Sequence, residues 1–367
     1  MPIKEKSFRI GCGRYLQEAG ILQSCGAEIL RLGHAPLIVG GKTALQLTRE
    51  QIENSVSAAC THYRIEEYTG TCNDEHANIL AELAQNENLD VIVGVGGGVI
   101  MDFAKLIGHF ASLPVINIPT SSATCAAYTP LSVRYTPEGR TVGSLHYERE
   151  VDAVLVDTNV IATQPPRLLL AGMFDSIAKF VEIKHRFDEN SSEYPLGLDW
   201  AYILSKHSYQ ELCDKTEPCL IDMKHGLMSD TVEQVVFAMI ATTGVISGIA
   251  RGSNQTALAH KFYEVTRVLF YEEARPYLHG EIVGVGLLLQ NVFNGEEPNN
   301  RDLIDLMKKY HMPHCLSDIG VTPSTEALEA YYEKLKNSSA IHKDNPEECE
   351  KLREALEYLW RLGSNVQ

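Results

Sequence analysis

A parallel α/β domain followed by an all-helical domain is the architecture that this 367-residue sequence predicts. Three observations carry it. Through the first half, short runs that are apolar on both faces alternate with helical patterns, which implies a parallel sheet covered on both sides. One of those runs ends in the glycine-rich turn Gly94-Val-Gly96-Gly97-Gly98, which opens a helix. Beyond about Ile161 strand patterns become scarce and apolar residues recur at helical spacing. The boundary is set at residues 162/163, giving an α/β domain over 1–162 and a helical domain over 163–367.

Ala35-Pro-Leu-Ile-Val-Gly40 reads as a strand and Thr43 to about Ser57 as the helix after it. Leu89-Asp-Val-Ile-Val-Gly-Val-Gly96 is a second buried strand, Val99 to Ser112 its helix, and Val115-Ile-Asn-Ile-Pro119 a third strand. Leu131-Ser-Val-Arg-Tyr135, the turn Thr136-Pro-Glu-Gly139 and the polar run to Tyr147 predict a hairpin. Ala153-Val-Leu-Val156 adds one more strand. After Pro165-Pro166, the stretch Leu168 to Val181 is apolar at i, i+3, i+4 and i+7 and reads as a helix. Thr231 to Ala250 is apolar on most faces, with Gly244 and Gly248 allowing close approach, so a buried central helix is expected. Pro346 to Leu362 is a charged amphipathic helix.

Apolar residues make up 44% of the chain and charged residues 22%, which excludes a disordered or collagen-like polymer. The formal net charge of −16 disfavours nucleic acid and anionic membranes as partners, because both are repelled at long range. It does not exclude a small anionic substrate, which answers to the field of one pocket. The nine cysteines, Cys12 to Cys349, are scattered and never paired as Cys-x-x-Cys, so free thiols in a reducing compartment are expected. The first residues lack a signal-peptide pattern, and no run of eighteen apolar residues is present. A cytoplasmic enzyme is expected, acting on a small molecule and assembled as a homo-oligomer.

The strongest local signal is Gly94-Val-Gly96-Gly97-Gly98-Val-Ile-Met-Asp102-Phe-Ala-Lys105. Glycines let backbone approach a pyrophosphate, and the amides and dipole of the helix start favour the anion. The pattern is neither Gly-x-Gly-x-x-Gly nor a Walker loop, and a tight turn without a ligand would look the same. Among the thirteen histidines, His311 and His314 beside Cys315 form a tempting cluster, but no helical spacing supports it as a metal site. His260 and His279, viewed singly, carry no more weight.

Taken in order, these motifs acquire a meaning. Gly96-Gly97-Gly98-x-x-x-Asp102-x-x-Lys105, Pro119-Thr120-Ser121, Ala171-Gly172-x-x-Asp175, Ala259-His260 and His279-Gly280 resemble the iron-containing alcohol dehydrogenase superfamily, in its order and approximate spacing. The match is nearest to its glycerol dehydrogenase-like branch and covers nearly the whole chain. The resemblance implies a dehydroquinate synthase-like fold, with a dinucleotide-binding α/β domain, a helical domain and a metal between them. It implies Asp175, His260 and His279 as metal ligands, an open three-ligand set suited to a substrate oxygen. Iron-type members have a further histidine where this chain has Lys179, so one divalent metal, zinc rather than iron, is expected. Phe174 departs from the branch, which usually has glycine there, and this puts the local backbone in question. The implied cofactor residues are Gly97, Gly98, Asp102, Thr120, Thr129, Leu131 and Tyr135. Some relatives carry an acidic residue after the second strand, whereas this chain reads Gly40-Gly41-Lys42. With no carboxylate at Gly41 to repel a 2′-phosphate, NADP is admitted as well as NAD.

The function implied is metal-assisted hydride transfer between NAD(P)H and a small carbonyl or alcohol, with Asp175, His260, His279 and Lys179 as its catalytic set. In the glycerol dehydrogenase pattern an Asp after Pro-Thr bonds polyol hydroxyls, and the equivalent position here is Cys125. A thiol grips hydroxyls weakly and repels no anion. Lys179, one turn beyond Asp175, could pair with a substrate carboxylate, with Arg134 a poorer partner. The run Thr124-Cys125-Ala-Ala-aromatic-Thr-Pro-Leu-Ser-Val133 is shared with the hydroxycarboxylate dehydrogenases of the branch. Reduction of 2-oxo acids to 2-hydroxy acids is therefore expected, with Cys125 and Lys179 at the substrate. The alternatives are a glycerol or other polyol dehydrogenase, a dehydroquinate synthase-like cyclase, which needs more basic residues than this chain offers, and a dinucleotide binder without chemistry.

Overall fold

The computed structural model describes residues 10–186, 196–250 and 256–364. In chain order its first elements are β1 (Tyr15–Glu18), α1 (Cys25–Leu30), β2 (Pro36–Gly40), α2 (Lys42–Ala59), β3 (Arg64–Glu67), α3 (Asp74–Asn86), β4 (Val91–Gly96), α4 (Gly98–Ala111) and β5 (Val115–Pro119). The hairpin β6 (Leu131–Tyr135) and β7 (Thr141–His146) follows, then β8 (Ala153–Asp157) and α5 (Thr158–Ile161). The remaining helices are α6 (Pro166–Arg186), α7 (Leu198–Lys224), α8 (Asp230–Phe237), α9 (Thr243–Ala250), α10 (Leu258–Leu269), α11 (Tyr271–Ala274), α12 (His279–Phe293), α13 (Asn300–Lys309), α14 (Thr325–Lys336) and α15 (Pro346–Ser364).

Every residue of β2, β4, β5 and β8 is buried, as their unbroken apolar runs require. Alternate residues go to opposite faces: Ile38, Val91, Val93 and Val95 join one core, while Leu37, Val39, Ile92 and Phe103 of α4 join the other. The six strands are all parallel, in the order β1-β8-β5-β4-β2-β3. From β2 the chain crosses to β3 on one side, and from β4 it crosses to β5 on the other. The order therefore reverses between β2 and β4, and the carboxyl ends of these two strands mark the switch point where such sheets bind ligands.

Several elements escape the sequence pattern, among them two strands of the sheet and helix α3. Strands β1 and β3 are short, polar edge strands, so neither shows the apolar run that marks a central strand. Helix α3 starts at a true cap, the Asn73 side chain accepting from the His76 N–H at 2.9 Å.

The chain divides into two compact units. One holds the sheet and hairpin up to Pro165 and also takes Asp214–Gly248; the other holds Pro166–Cys213 and the chain from Ile249 onward. A single boundary at 162/163 thus overlooks a return of the chain. Three contacts within the sheet-bearing unit account for it. Gln17 Nε2 on β1 donates to the Glu233 carbonyl at 2.8 Å, Phe237 meets Tyr15 edge-on, and Tyr128 lies where a side chain on Gly244 would have to be. Asp230–Ala250 is the one helical run among the described residues long and apolar enough to cross a bilayer by length and composition, yet 61% of its most apolar window is buried inside the protein. A π-helical turn at Ala238–Thr242 separates α8 from α9, with the Thr243 hydroxyl donating to the Ala238 carbonyl at 2.9 Å.

Candidate active site

Helix α12 is buried along nearly its whole length and carries glycines at points where its neighbours come near. A Cβ on Gly280 would collide with the Ala171 backbone of α6, and one on Gly286 would lie 2.6 Å from the Ala259 carbonyl of α10. These two notches let α12 sit close against both helices. Ala171 is one turn before Asp175, Ala259 is next to His260, and His279 opens α12 beside Gly280. The close crossings thus gather the three side chains. Phe174 is fully buried within an unbroken α6, and its ring packs 3.2 Å from where a Cβ on Gly284 would stand. The backbone is regular there despite the departure from glycine.

The Asp175, His260 and His279 ligand atoms all lie within 4.8 Å of one another. His260 Nε2 is 3.1 Å and His279 Nε2 3.5 Å from Asp175 Oδ1. One buried carboxylate and two imidazole nitrogens converging on a point form a donor set that suits zinc or another first-row divalent ion. Behind them stands Glu182, fully buried two turns after Asp175. Its Oε2 is 2.5 Å from His260 Nδ1, and its Oε1 accepts the N–H groups of His260 and Ala257 at 2.9 and 2.7 Å. A carboxylate on Nδ1 commits Nε2 to the ligand position, the usual support for a metal-bound imidazole.

Lys179 is buried and stands inside this group, its Nζ 3.0 Å from His260 Nε2 and 3.9 Å from Asp175 Oδ1. Burial disfavours charge on Asp175, but Lys179 and His279 outweigh it and hold the carboxyl well below its ordinary range. Burial also opposes the charge of Glu182, and His260 outweighs it, so that group too is lowered. For His260, burial lowers the proton affinity, yet Glu182 more than offsets it and the net shift is upward. At His279 burial prevails, and the ring is held toward the neutral form that a metal ligand needs.

In the sheet-bearing unit, Gly41 follows β2 and donates its N–H to Val95 of β4 at 3.1 Å, and Gly97 is the N-cap of α4 and makes no side-chain cap hydrogen bond. A Cβ on Gly97 would stand 3.7 Å from Ser121 Oγ and one on Gly41 3.6 Å from Ile100 Cγ1. Thr120 donates its N–H to Gly96 at 2.9 Å. Gly41, Gly97, Gly98 and Thr120 therefore gather at the switch point around an uncapped helix start, which fits a pyrophosphate.

Asp102 is placed differently. One turn into α4, it is buried, accepts the Val133 N–H at 3.0 Å and pairs with Lys105 Nζ at 2.9 Å. Lys105 also donates to the carbonyls of Ala126 and Thr129, at 2.7 and 2.9 Å, and to that of Leu131. Thr129 and Leu131 are thus held by their backbone from within. Tyr135 donates its N–H to the Cys72 carbonyl at 2.8 Å, and Arg134 pairs with Asp74 at 2.8 Å. Cys125 is half-buried, its carbonyl accepting from Tyr128 and Thr129 at the start of this segment.

Two residues organise the sites in roles that the sequence reading did not give them: Glu182, whose signal is its i+7 spacing from Asp175 on one helix face, and Lys105 as an anchor. The second cluster, His314, Cys315 and Asp318, is turned inward on itself. Asp318 lies 2.9 Å from His314 Nδ1 and accepts the His314 N–H at 3.1 Å, while burial pushes the Cys315 thiol up, away from thiolate.

Residues 12–158 match the family model of the iron-containing alcohol dehydrogenases. Over 360 residues, 96% of each chain, the sequence is 30% identical to a glycerol dehydrogenase of Thermotoga maritima. It is also 30% identical over 263 residues, 71% of each chain, to hydroxycarboxylate dehydrogenase A of Escherichia coli. Among solved structures, a probable glycerol dehydrogenase from Sinorhizobium meliloti superposes with a TM-score of 0.82 over 98% of this chain and 99% of its own, at 23% identity, which bears on the fold alone. With its motifs in order and a relative matched end to end, the chain belongs to the iron-containing alcohol dehydrogenase family and is an oxidoreductase.

Proposed function

We propose that this enzyme reduces small 2-oxo acids to 2-hydroxy acids with NADPH or NADH, using one divalent metal, zinc in preference to iron, on Asp175, His260 and His279. When bound, the metal supplies a Lewis acid for the substrate oxygen and the nicotinamide supplies the hydride. The protein's part is to hold and orient. Glu182 fixes the His260 ring, the Gly97–Gly98 amides and the α4 dipole receive the pyrophosphate, and the bare Gly41 leaves space for a 2′-phosphate. Lys179 offers an ammonium to the substrate carboxylate.

The observation that carries the substrate class is this buried cation, 3.0 Å from a ligand nitrogen. Cys125 supports it, standing where the glycerol dehydrogenase pattern has an Asp that would repel an anion. Likeness to hydroxycarboxylate dehydrogenase A points the same way. Glycerol oxidation is the second reading, favoured by the 96% coverage of the Thermotoga maritima glycerol dehydrogenase. Nicotinamide absorbance, followed with both cofactors against 2-oxo acids, glycerol and simple alcohols, separates the two. The expected result is turnover of 2-oxo acids with glycerol nearly silent; efficient glycerol oxidation would overturn the first reading.

A further inference from the structure

We infer that Lys179 competes with the metal for His260 Nε2, so that the enzyme carries its own metal antagonist and an anionic substrate relieves it. The inference rests on the proposed ligand set and goes beyond it to how that set is loaded. An imidazole nitrogen has one lone pair in the ring plane and serves one partner at a time. Glu182 occupies Nδ1 of His260 at 2.5 Å, so Nε2 is the only ring atom left for a metal. That same Nε2 is 3.0 Å from Lys179 Nζ and 3.1 Å from Asp175 Oδ1, and Nζ is 3.9 Å from Asp175 Oδ1. Lys179 therefore offers its charge to two of the three ligand residues. A divalent ion entering this group meets a positive charge at close range in a buried site, where screening by water is weak.

Helix geometry makes the placement inescapable. Lys179 is one turn after Asp175 on α6, and Glu182 is one turn further, so all three share a face directed at α10. The side chain has length enough to swing, but while it stays buried its ammonium must find partners, and two of those the structure shows, His260 and Asp175, are the metal's proposed ligands. A carboxylate delivered by a 2-oxo acid offers another acceptor. Once drawn to it, Lys179 releases Nε2, and metal and substrate bind cooperatively, each lowering the cost of the other.

The test uses Co²⁺ alone as probe, read by its visible ligand-field absorption and by calorimetry, on the full chain. Lys179→Met should bind Co²⁺ about tenfold or more tightly than the wild type. Because this change leaves Asp175 and Glu182 without their cation, thermal unfolding with and without Co²⁺ serves as a second reading. The Co²⁺-induced rise in Tm should be larger in the variant. Equal or weaker Co²⁺ binding by Lys179→Met overturns the inference and leaves the ligand set standing. Absence of binding by both proteins overturns the ligand set and the inference with it. Added pyruvate should tighten Co²⁺ in the wild type more than in Lys179→Met. An equal effect in both would overturn the relief by substrate, and with it the role of Lys179 at the substrate carboxylate.

Discussion

Glu182 turns both oxygens to one neighbour, gripping the His260 ring through Nδ1 and its backbone through the N–H. Glu182→Gln keeps the shape but loses the charge, and support of this kind is worth roughly 10- to 100-fold in metal affinity. A loss in that range, measured by Co²⁺ or Zn²⁺ titration with the fold intact by circular dichroism, is expected; unchanged affinity would contradict the role. Lys105 is a second such residue, tying Asp102 and three carbonyls of the segment after β5. Removing it in Lys105→Met strands a carboxylate already pushed up by burial, at a cost of about 3–5 kcal/mol. A fall in the urea midpoint of matching size checks it. At Gly41 the nearest side-chain atom to a new Cβ is 3.6 Å away, an ordinary contact, so a side chain can start there. Gly41→Asp should lower kcat/KM for NADPH while sparing NADH; an unchanged ratio would show that the 2′-phosphate binds elsewhere. At this scale the candidate metal ligands were legible because the resemblance gives each a short motif, whereas Glu182 acts through His260 and carries no motif of its own.

Elements reach the site by close approach. Helix α12 meets α6 at Gly280 and α10 at Gly286, and both contacts are backbone against glycine. Gly280→Ala leaves the added methyl nowhere to go, so the helices must part near Asp175 and His279. Overpacking of this sort costs about 1–3 kcal/mol, and metal affinity should fall with it. Titration of Gly280→Ala beside Gly295→Ala makes the comparison, since Gly295 has nothing within 4 Å and changes only a loop backbone at positive φ. Equal metal affinity in the two would remove the notch as cause. The central strands and α4 were readable from apolar runs, because a strand buried on both faces has no polar side to obscure it. Edge strands β1 and β3 were not readable, since none of their residues is fully buried and polar residues break the pattern.

For the whole molecule, the division into units is the informative feature. Asp214–Gly248 belongs with the sheet although the helical unit precedes it in the chain. A chain cut after Pro165 should therefore expose Tyr15 and Tyr128, bind a hydrophobic dye and unfold at lower urea than the same region in the intact protein. A cut chain as stable as the intact region would show the return to be dispensable. By itself the sequence determined the parallel sheet and the glycine-lined switch point, and through its resemblance it named the three candidate ligands that the structure brings together. Each of these is written in local terms, as period, turn chemistry or a short motif. Only the tertiary structure decided that Asp102 faces inward, that Glu182 steers His260, that Lys179 meets His260 across the helices and that residues 214–248 return to the sheet. The physical reason is common to all four. Which buried group meets which partner is settled by helices packing across dozens of residues, and no local pattern records the partner.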